Sequence, residues 1–302
     1  MARSPAGEAT AALNLSGKER HQMRLGAPVF AHTDDPDQVA QAHRALGLRA
    51  AYCPPAKLGE ADRLRAIEQA YAKHDVVIAE VGVWNNLMEP DEEKRRANVK
   101  AMCDGLALAD EVGALCVVNI AGTYHPDNWA GPHPNNLSQE AFDLVVATAR
   151  EIIDEVKPRR AKFTYEMMPW SLPDSADSYL ALLRAIQRPQ FAVHLDVVNI
   201  ICSVRRYFYN ADLIRECFAK LGAHIVCCHL KDTLLSDELT THLSEARPGA
   251  GTLDIATFLR ETAKLPHPPP ILLEHLPNAE EYDLARRHVL EVAKQVGVDF
   301  EK

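Results

Sequence analysis

FAVHLDVVNIICSVRRYFYNADLIRECFAKLGAHIVCCHLKD, residues 191–232, decides how the chain folds. It opens on a short apolar run (191–199), passes through a connection at 199–210 and a helical pattern at 211–222, and returns to a second apolar run (224–232). Two such runs joined through a helix form a strand–helix–strand unit with parallel strands. Both runs close on ionisable residues, Asp196 in the first and His229, Lys231 and Asp232 in the second. Charged groups are rarely placed at the end of a buried strand unless something pairs with them.

The same alternation extends in both directions. Further strand-like runs lie at 24–31, 48–54, 76–84, 114–122, 162–168 and 270–276. Helical patterns lie at 36–46, 61–74, 91–112, 138–156, 175–187, 254–264 and 279–296. The acidic trio Asp91, Glu92 and Glu93 opens one of these helices at its positive end, and Ser138 caps another. Eight strand–helix pairs predict an α/β fold, a single (β/α)8 TIM barrel with its active site at the C-terminal ends of the strands. An open doubly wound sheet would carry a glycine-rich phosphate turn after its first strand, whereas here that strand leads into AHTDDPD (31–37). The expected division is a flexible N-terminal extension at 1–22 and a catalytic barrel at 23–302.

Bulk properties agree. A chain of 302 residues, 47% hydrophobic, can bury one large core. A net charge of −9 and a pI near 5.8 argue against a general nucleic-acid binder, although a few local arginines would serve a small anionic ligand. The seven cysteines follow no CxxC or regular pattern and fall mostly in apolar runs, as expected of reduced thiols in a cytoplasmic protein. No stretch approaches the roughly 18 apolar residues of a membrane span. The first 22 residues lack the apolar centre of a secretory signal.

Two more runs end as the opening pair do, with Glu166 in FTYEMMPW and Glu274 in ILLEHLP. Alternate residues of a barrel strand face inward. His194 therefore shares a face with Asp196, and His229 with Lys231, while His275 is expected to point away from Glu274. Singly, each of the four could be an ion-paired or capping residue. Together, Glu166, Asp196, His229 and Glu274 make an oxygen-rich site for Mn²⁺, Mg²⁺ or Co²⁺, with Zn²⁺ also possible.

Around them stand further candidates. Lys231 is expected either to reach substrate or to pair with Glu274 or Asp232. Arg247 in the loop after the seventh strand could bind an anionic group. Arg205 and Arg206 either contact such a group or pin their own loop. Trp84, at the end of the third strand, offers a wall for a sugar face, and Glu80 an ion pair within the barrel mouth. The long connection at 120–137, with TYHPDNWAGPHPNNL, is expected to wall or cover the site, making His125, and with it His133 and His32, candidates for the pocket. His194 reads as a hydrogen-bonded core histidine.

From about residue 24 onward the chain resembles the xylose isomerase-like barrel superfamily, the sugar phosphate isomerase/epimerase group. The resemblance is carried by Glu166, LDVVN (195–199), HLKD (229–232), RPGAGTLDIATFL (247–259) and LLEH (272–275). It implies that Glu166, Asp196, His229 and Glu274 hold a divalent metal, and that Glu166 and Glu274 double as the acid/base pair. It also marks departures: Asn199 stands where the ketose epimerases have His, Leu172 where they have Glu and Leu235 where they have Arg. Those positions handle substrate, so a free ketohexose is not the expected substrate.

The expected function is a metal-dependent isomerase or epimerase of a sugar or sugar derivative. Removing a proton beside a carbonyl requires a base and stabilisation of the enediolate that develops, which a chelated metal supplies. Asn199, Lys231, Arg247, Trp84 and His125 are the expected substrate contacts. The alternative is a metal-dependent lyase or dehydratase acting on an oxidised sugar or glycoside, distinguished by an unsaturated or cleaved product. The resemblance also extends to endonucleases acting at abasic DNA sites, but those carry more histidines and a basic face. The expected partners are a small carbohydrate, no nucleic acid, no membrane, and a second copy of the chain in a homo-oligomer.

Overall fold

The structure, a computed structural model, describes residues 22–301. The expected extension at 1–22 therefore lies outside the described residues, apart from Gln22. Eight parallel strands close into a barrel: β1 (Leu25–Gly26), β2 (Ala50–Tyr52), β3 (Val77–Gly82), β4 (Cys116–Asn119), β5 (Lys162–Glu166), β6 (Phe191–Leu195), β7 (Ile225–Leu230) and β10 (Ile271–Leu273). They follow one another around the barrel in chain order, and β1 pairs with both β2 and β10. The strands are near-continuously apolar because both faces are covered, the inner one by the barrel's own side chains and the outer by helices.

The helices α1 (Pro36–Ala45), α2 (Ala61–Lys73), α3 (Glu92–Val112), α4 (Gln139–Val156), α5 (Ala176–Ile186), α7 (Asn210–Leu221), α8 (Ile255–Ala263) and α9 (Ala279–Val296) match the expected patterns to within a residue or two at either end. Side chains terminate them as the sequence implies. Asp91 accepts from the amides of Glu93 and Lys94, and Ser138 from that of Ala141. Buried apolar faces such as Val145, Ala149, Ile152 and Ile153 of α4 join the main core between helices and sheet. A separate small cluster, Ala50, Ala79, Cys116, Cys227 and Leu272, takes one residue each from β2, β3, β4, β7 and β10 and so fills the barrel interior. All seven cysteines are free. No helix among the described residues is long and apolar enough to cross a membrane.

Two connections hold more structure than expected. The segment 199–210 contains a short helix, α6 (Val204–Phe208). The segment 232–253 opens with an antiparallel hairpin, β8 (Asp232–Leu235) and β9 (Leu243–Ala246), with Asp232 opposite Ala246. Each hairpin strand is only four residues long, β8 half-buried and β9 without a buried residue, too short to carry a clear alternation. Beneath it, Asp232 organises the RPGAG turn: Oδ1 accepts from the amides of Thr233 and Leu253, and Oδ2 from those of Gly249 and Gly251. Gly251 is required there, since a Cβ would lie 2.3 Å from Asp232 Oδ1.

Candidate metal centre

Four strands bring the expected ligand set to one point. Glu166 is the last residue of β5, Asp196 follows β6, His229 is the penultimate residue of β7 and Glu274 follows β10. One ligand atom from each lies within 4.8 Å of the others. His229 Nδ1 is 2.8 Å from Glu166 Oε1 and 2.8 Å from Glu274 Oε2. All four side chains are buried.

The other nitrogen of His229 faces a carboxylate deeper in the barrel. Nε2 lies 3.1 and 3.2 Å from the two oxygens of Glu80. With the proton on Nε2 donating to Glu80, the Nδ1 lone pair points into the ligand set; a carboxylate behind a ligating histidine orients the ring and raises its basicity. Glu80 is held in turn by His194, whose Nε2 lies 2.6 Å from Oε2 and whose ring packs edge-on against His229 at 4.2 Å. His194 is therefore the core histidine the sequence suggests. Burial would raise the Glu80 carboxyl, but the His229 and His194 rings outweigh it and hold it below the usual carboxylate range.

Lys231 closes the opposite side. Its buried ammonium lies 2.7 Å from Asp196 Oδ2, 2.6 Å from Glu274 Oε1 and 2.9 Å from Glu245 Oε1. Burial disfavours the charged ammonium, yet Asp196 and Glu274 more than compensate and push its pKa up. The expected pairing with Glu274 is present, whereas the one with Asp232 is not, because that carboxylate is turned into the RPGAG turn. Burial pushes Asp196 up to about 7 against the pull of Lys231.

His275 departs from the alternation rule. β10 ends at Leu273, and His275 has φ 55°, so the chain has left the strand and turned. Its ring comes back over the site, with Nδ1 2.9 Å from Glu245 Oε2 and Nε2 3.5 Å from Glu274. That hydrogen bond, against the cost of burial, holds Glu245 down to about 2. Glu245, on β9, is a site residue the sequence reading missed, because only the hairpin's fold carries it over the barrel mouth.

A divalent cation fits this donor set. Glu80, Glu166, Asp196, Glu245 and Glu274 crowd together around one ammonium, Lys231, and the imidazoles of His194, His229 and His275. The carboxylates also draw His229 well above its ordinary pKa despite burial, the response of a site short of positive charge. Asp196 Oδ1 accepts from the amides of Val198 and Asn199, while the fully buried Oδ2 has only the Lys231 ion contact and no well-directed hydrogen-bond donor. Carboxylate oxygens with one imidazole suit Mn²⁺ or Mg²⁺, and the imidazole also admits Co²⁺ or Zn²⁺.

A cavity of about 810 Å³ opens beside the set, with Glu166, Glu245 and His275 in its wall. Trp84 and Asn199 line it as expected, although the Asn199 amide donates to Met167 O at 3.0 Å. The connection at 120–137 contributes Trp129 and Ala130, and the next loop Trp170, which the sequence reading did not single out. Three expected contacts are not among the lining residues: Lys231, held below by Asp196 and Glu274, and Arg247 and His125. The Arg247 guanidinium turns outward to Glu281 at 2.9 Å, and His125 Nδ1 accepts from the amides of Asp127 and Asn128, capping its own turn. His133 caps a turn likewise, accepting from Asn135, and His32 is exposed. Arg206 pins its loop through Ile200 O, and Arg205 stacks on Tyr209. Leu172 packs in the core and Leu235 against it, so neither offers a polar group to the site.

Comparison with solved structures gives close agreement in fold at low identity. A xylose isomerase-like TIM barrel protein from Mycobacterium smegmatis in complex with magnesium aligns with TM-score 0.64 and 15% identity, over 91% of this chain and 97% of that one. D-psicose 3-epimerase with D-tagatose from Clostridium cellulolyticum H10 aligns with TM-score 0.66 and 12% identity, over 91% and 99%. A probable 3-DHS dehydratase from Bacillus anthracis aligns with TM-score 0.63 and 16% identity, over 90% and 99%. No curated protein sequence matches significantly. The family described as xylose isomerase-like TIM barrel matches residues 31–292, nearly the whole described barrel, and the chain belongs to that family.

Proposed function

We propose that the protein is a divalent-metal-dependent isomerase or epimerase acting on a sugar or sugar derivative by proton transfer next to a carbonyl. The observation that carries this reading is the approach of Glu166 and Glu274 to the same nitrogen, His229 Nδ1, beside a cavity of about 810 Å³ that Glu166 lines. Glu166, Asp196, His229 and Glu274 would hold the metal. When bound, it polarises the substrate carbonyl and lowers the cost of the negative charge that builds as the neighbouring proton leaves.

The chain's own groups supply the rest. Glu166 and Glu274 arise from β5 and β10, which β6 and β7 separate in the barrel, so they address a bound carbon from different sides. One carboxylate takes the proton and the other returns it, which inverts the carbon in an epimerisation. His229 and Lys231 keep Glu274 ionised despite its burial. His275 stands next to it in the cavity wall to orient substrate oxygens. The similarity to proteins named as an epimerase and a dehydratase supports carbon–hydrogen chemistry of this kind.

Incubation of the Mn²⁺-loaded protein in D₂O with a panel of ketoses and keto-glycosides tests the reading by NMR and mass spectrometry. The expected result is deuterium at a single carbon beside the carbonyl in a product otherwise unchanged in mass, abolished in Glu166→Gln. Full activity of Glu166→Gln overturns the reading. A dehydrated or cleaved product assigns the same site to the alternative, a lyase acting on an oxidised sugar or glycoside.

A further inference from the structure

The chain has three tryptophans, and all three, Trp84, Trp129 and Trp170, line the cavity beside the metal centre with about two-fifths to half of their surface exposed. Large aromatic rings left in contact with water are costly unless something covers them. The loops after β4 and β6 and strand β9 add Ile120, Ile201 and Leu243 to the same wall. At about 810 Å³ the cavity sits high in the roughly 300–1,000 Å³ range of drug-sized ligand sites. It has more room than a free monosaccharide fills. Hydroxyl groups come mainly from the hairpin side, through Thr233, Thr241 and Ser244.

Charge narrows the ligand further. Among the described residues no arginine or lysine lines the cavity, and its charged walls are Glu166, Glu245 and His275, the last two paired with each other. Lys231 below is already matched by Asp196, Glu245 and Glu274. Away from the metal centre, a phosphate or carboxylate on these walls would meet carboxylates without a free cation, an unpaired buried charge.

The aromatic wall is built in advance. Trp170 Nε1 donates to Ala130 O at 2.7 Å, and the buried Asn136 amide donates to Trp170 O at 3.1 Å and Gly131 O at 3.2 Å. Ser171 Oγ donates to Gly122 O at 2.7 Å, tying the two loops together. Trp84 lies over Gly82, where a Cβ would stand 2.6 Å from its Nε1. Fixing the rings before binding removes the ordering cost from the ligand's affinity.

We infer that this cavity is an aglycone subsite, and that the substrate is a neutral oxidised (keto) sugar bearing an aromatic substituent, an aryl keto-glycoside, and not a sugar phosphate or sugar acid. The assignment of the sugar end to the Glu166–Glu274 side rests on the proton-transfer reading above.

Calorimetry and tryptophan fluorescence on the Mn²⁺-loaded protein test it with phenyl β-D-glucopyranoside, methyl β-D-glucopyranoside and D-glucose 6-phosphate as probes. The phenyl glucoside is expected to quench tryptophan emission and to bind at least about fivefold more tightly than the methyl glucoside. The phosphate should bind weakest. Trp129→Ala should erase most of the phenyl preference, and Trp129→Phe should restore it. Equal affinities for the two glucosides, no binding of either, tightest binding of the phosphate, or an intact phenyl preference in Trp129→Ala each overturn the inference. Failure of the proton-transfer reading shows separately, as absent deuterium exchange with the phenyl preference intact.

Discussion

Glu80 shows how a residue outside the proposed ligand set can orient one within it. It fixes the His229 ring from behind, so that Nδ1 is the nitrogen offered to the ligand set. Glu80→Gln keeps the shape but weakens that hold, and is expected to lower Mn²⁺ affinity by roughly 10–100-fold, measured by chelator competition with the circular dichroism spectrum unchanged. Lys231 makes the complementary case. Lys231→Ala strands Asp196 and Glu274 as buried charges, and should cost about 3–5 kcal/mol in chelator-containing buffer. The loss read by denaturant titration should shrink when Mn²⁺ is added, because the same carboxylates then have a cation. The convergence of Glu166, Asp196, His229 and Glu274 was legible in the sequence because each ends an apolar run. Glu245 and His275 were not, since one arrives on a hairpin and the other after a turn with positive φ, and neither feature has a periodicity to betray it.

The outer helices are set by their caps and apolar faces, and a histidine on one of them reports on their packing. His43 on α1 is buried near Tyr71 with Nδ1 unpartnered, and burial lowers its pKa from 6.5 to about 4. The folded form therefore prefers the neutral ring, and the unfolded chain takes up a proton first as pH falls. Stability from this residue is complete above pH 6.5 and is lost toward pH 4, at up to about 1.4 kcal/mol per pH unit. Thermal melts should show that slope in the wild-type protein and a flatter one in His43→Leu; identical slopes would remove His43 as the cause. Helix positions were readable to within a residue or two because 3.6-residue periodicity and capping residues are local signals. Helix α6 and the β8–β9 hairpin escaped because they are short and half-exposed, and tertiary contacts hold them.

The molecule as a whole places its ionisable groups where eight strand ends converge, above an apolar barrel interior and below a tryptophan-lined mouth. The closed barrel followed from counting strand–helix pairs; the cavity's chemistry depended on which loops fold over it, which no pattern within one loop encodes. Self-association, suggested by the alanine- and leucine-rich outer helices, predicts an oligomeric mass in light scattering, and a monomeric mass would end that idea. The proposed chemistry requires a cation at the strand ends. Titration of Mn²⁺ into chelator-treated protein by calorimetry should give a single ion per chain for the wild type and no measurable binding for Asp196→Asn. Absence of binding to the wild type, or equal binding to Asp196→Asn, would contradict the metal centre proposed at Glu166, Asp196, His229 and Glu274.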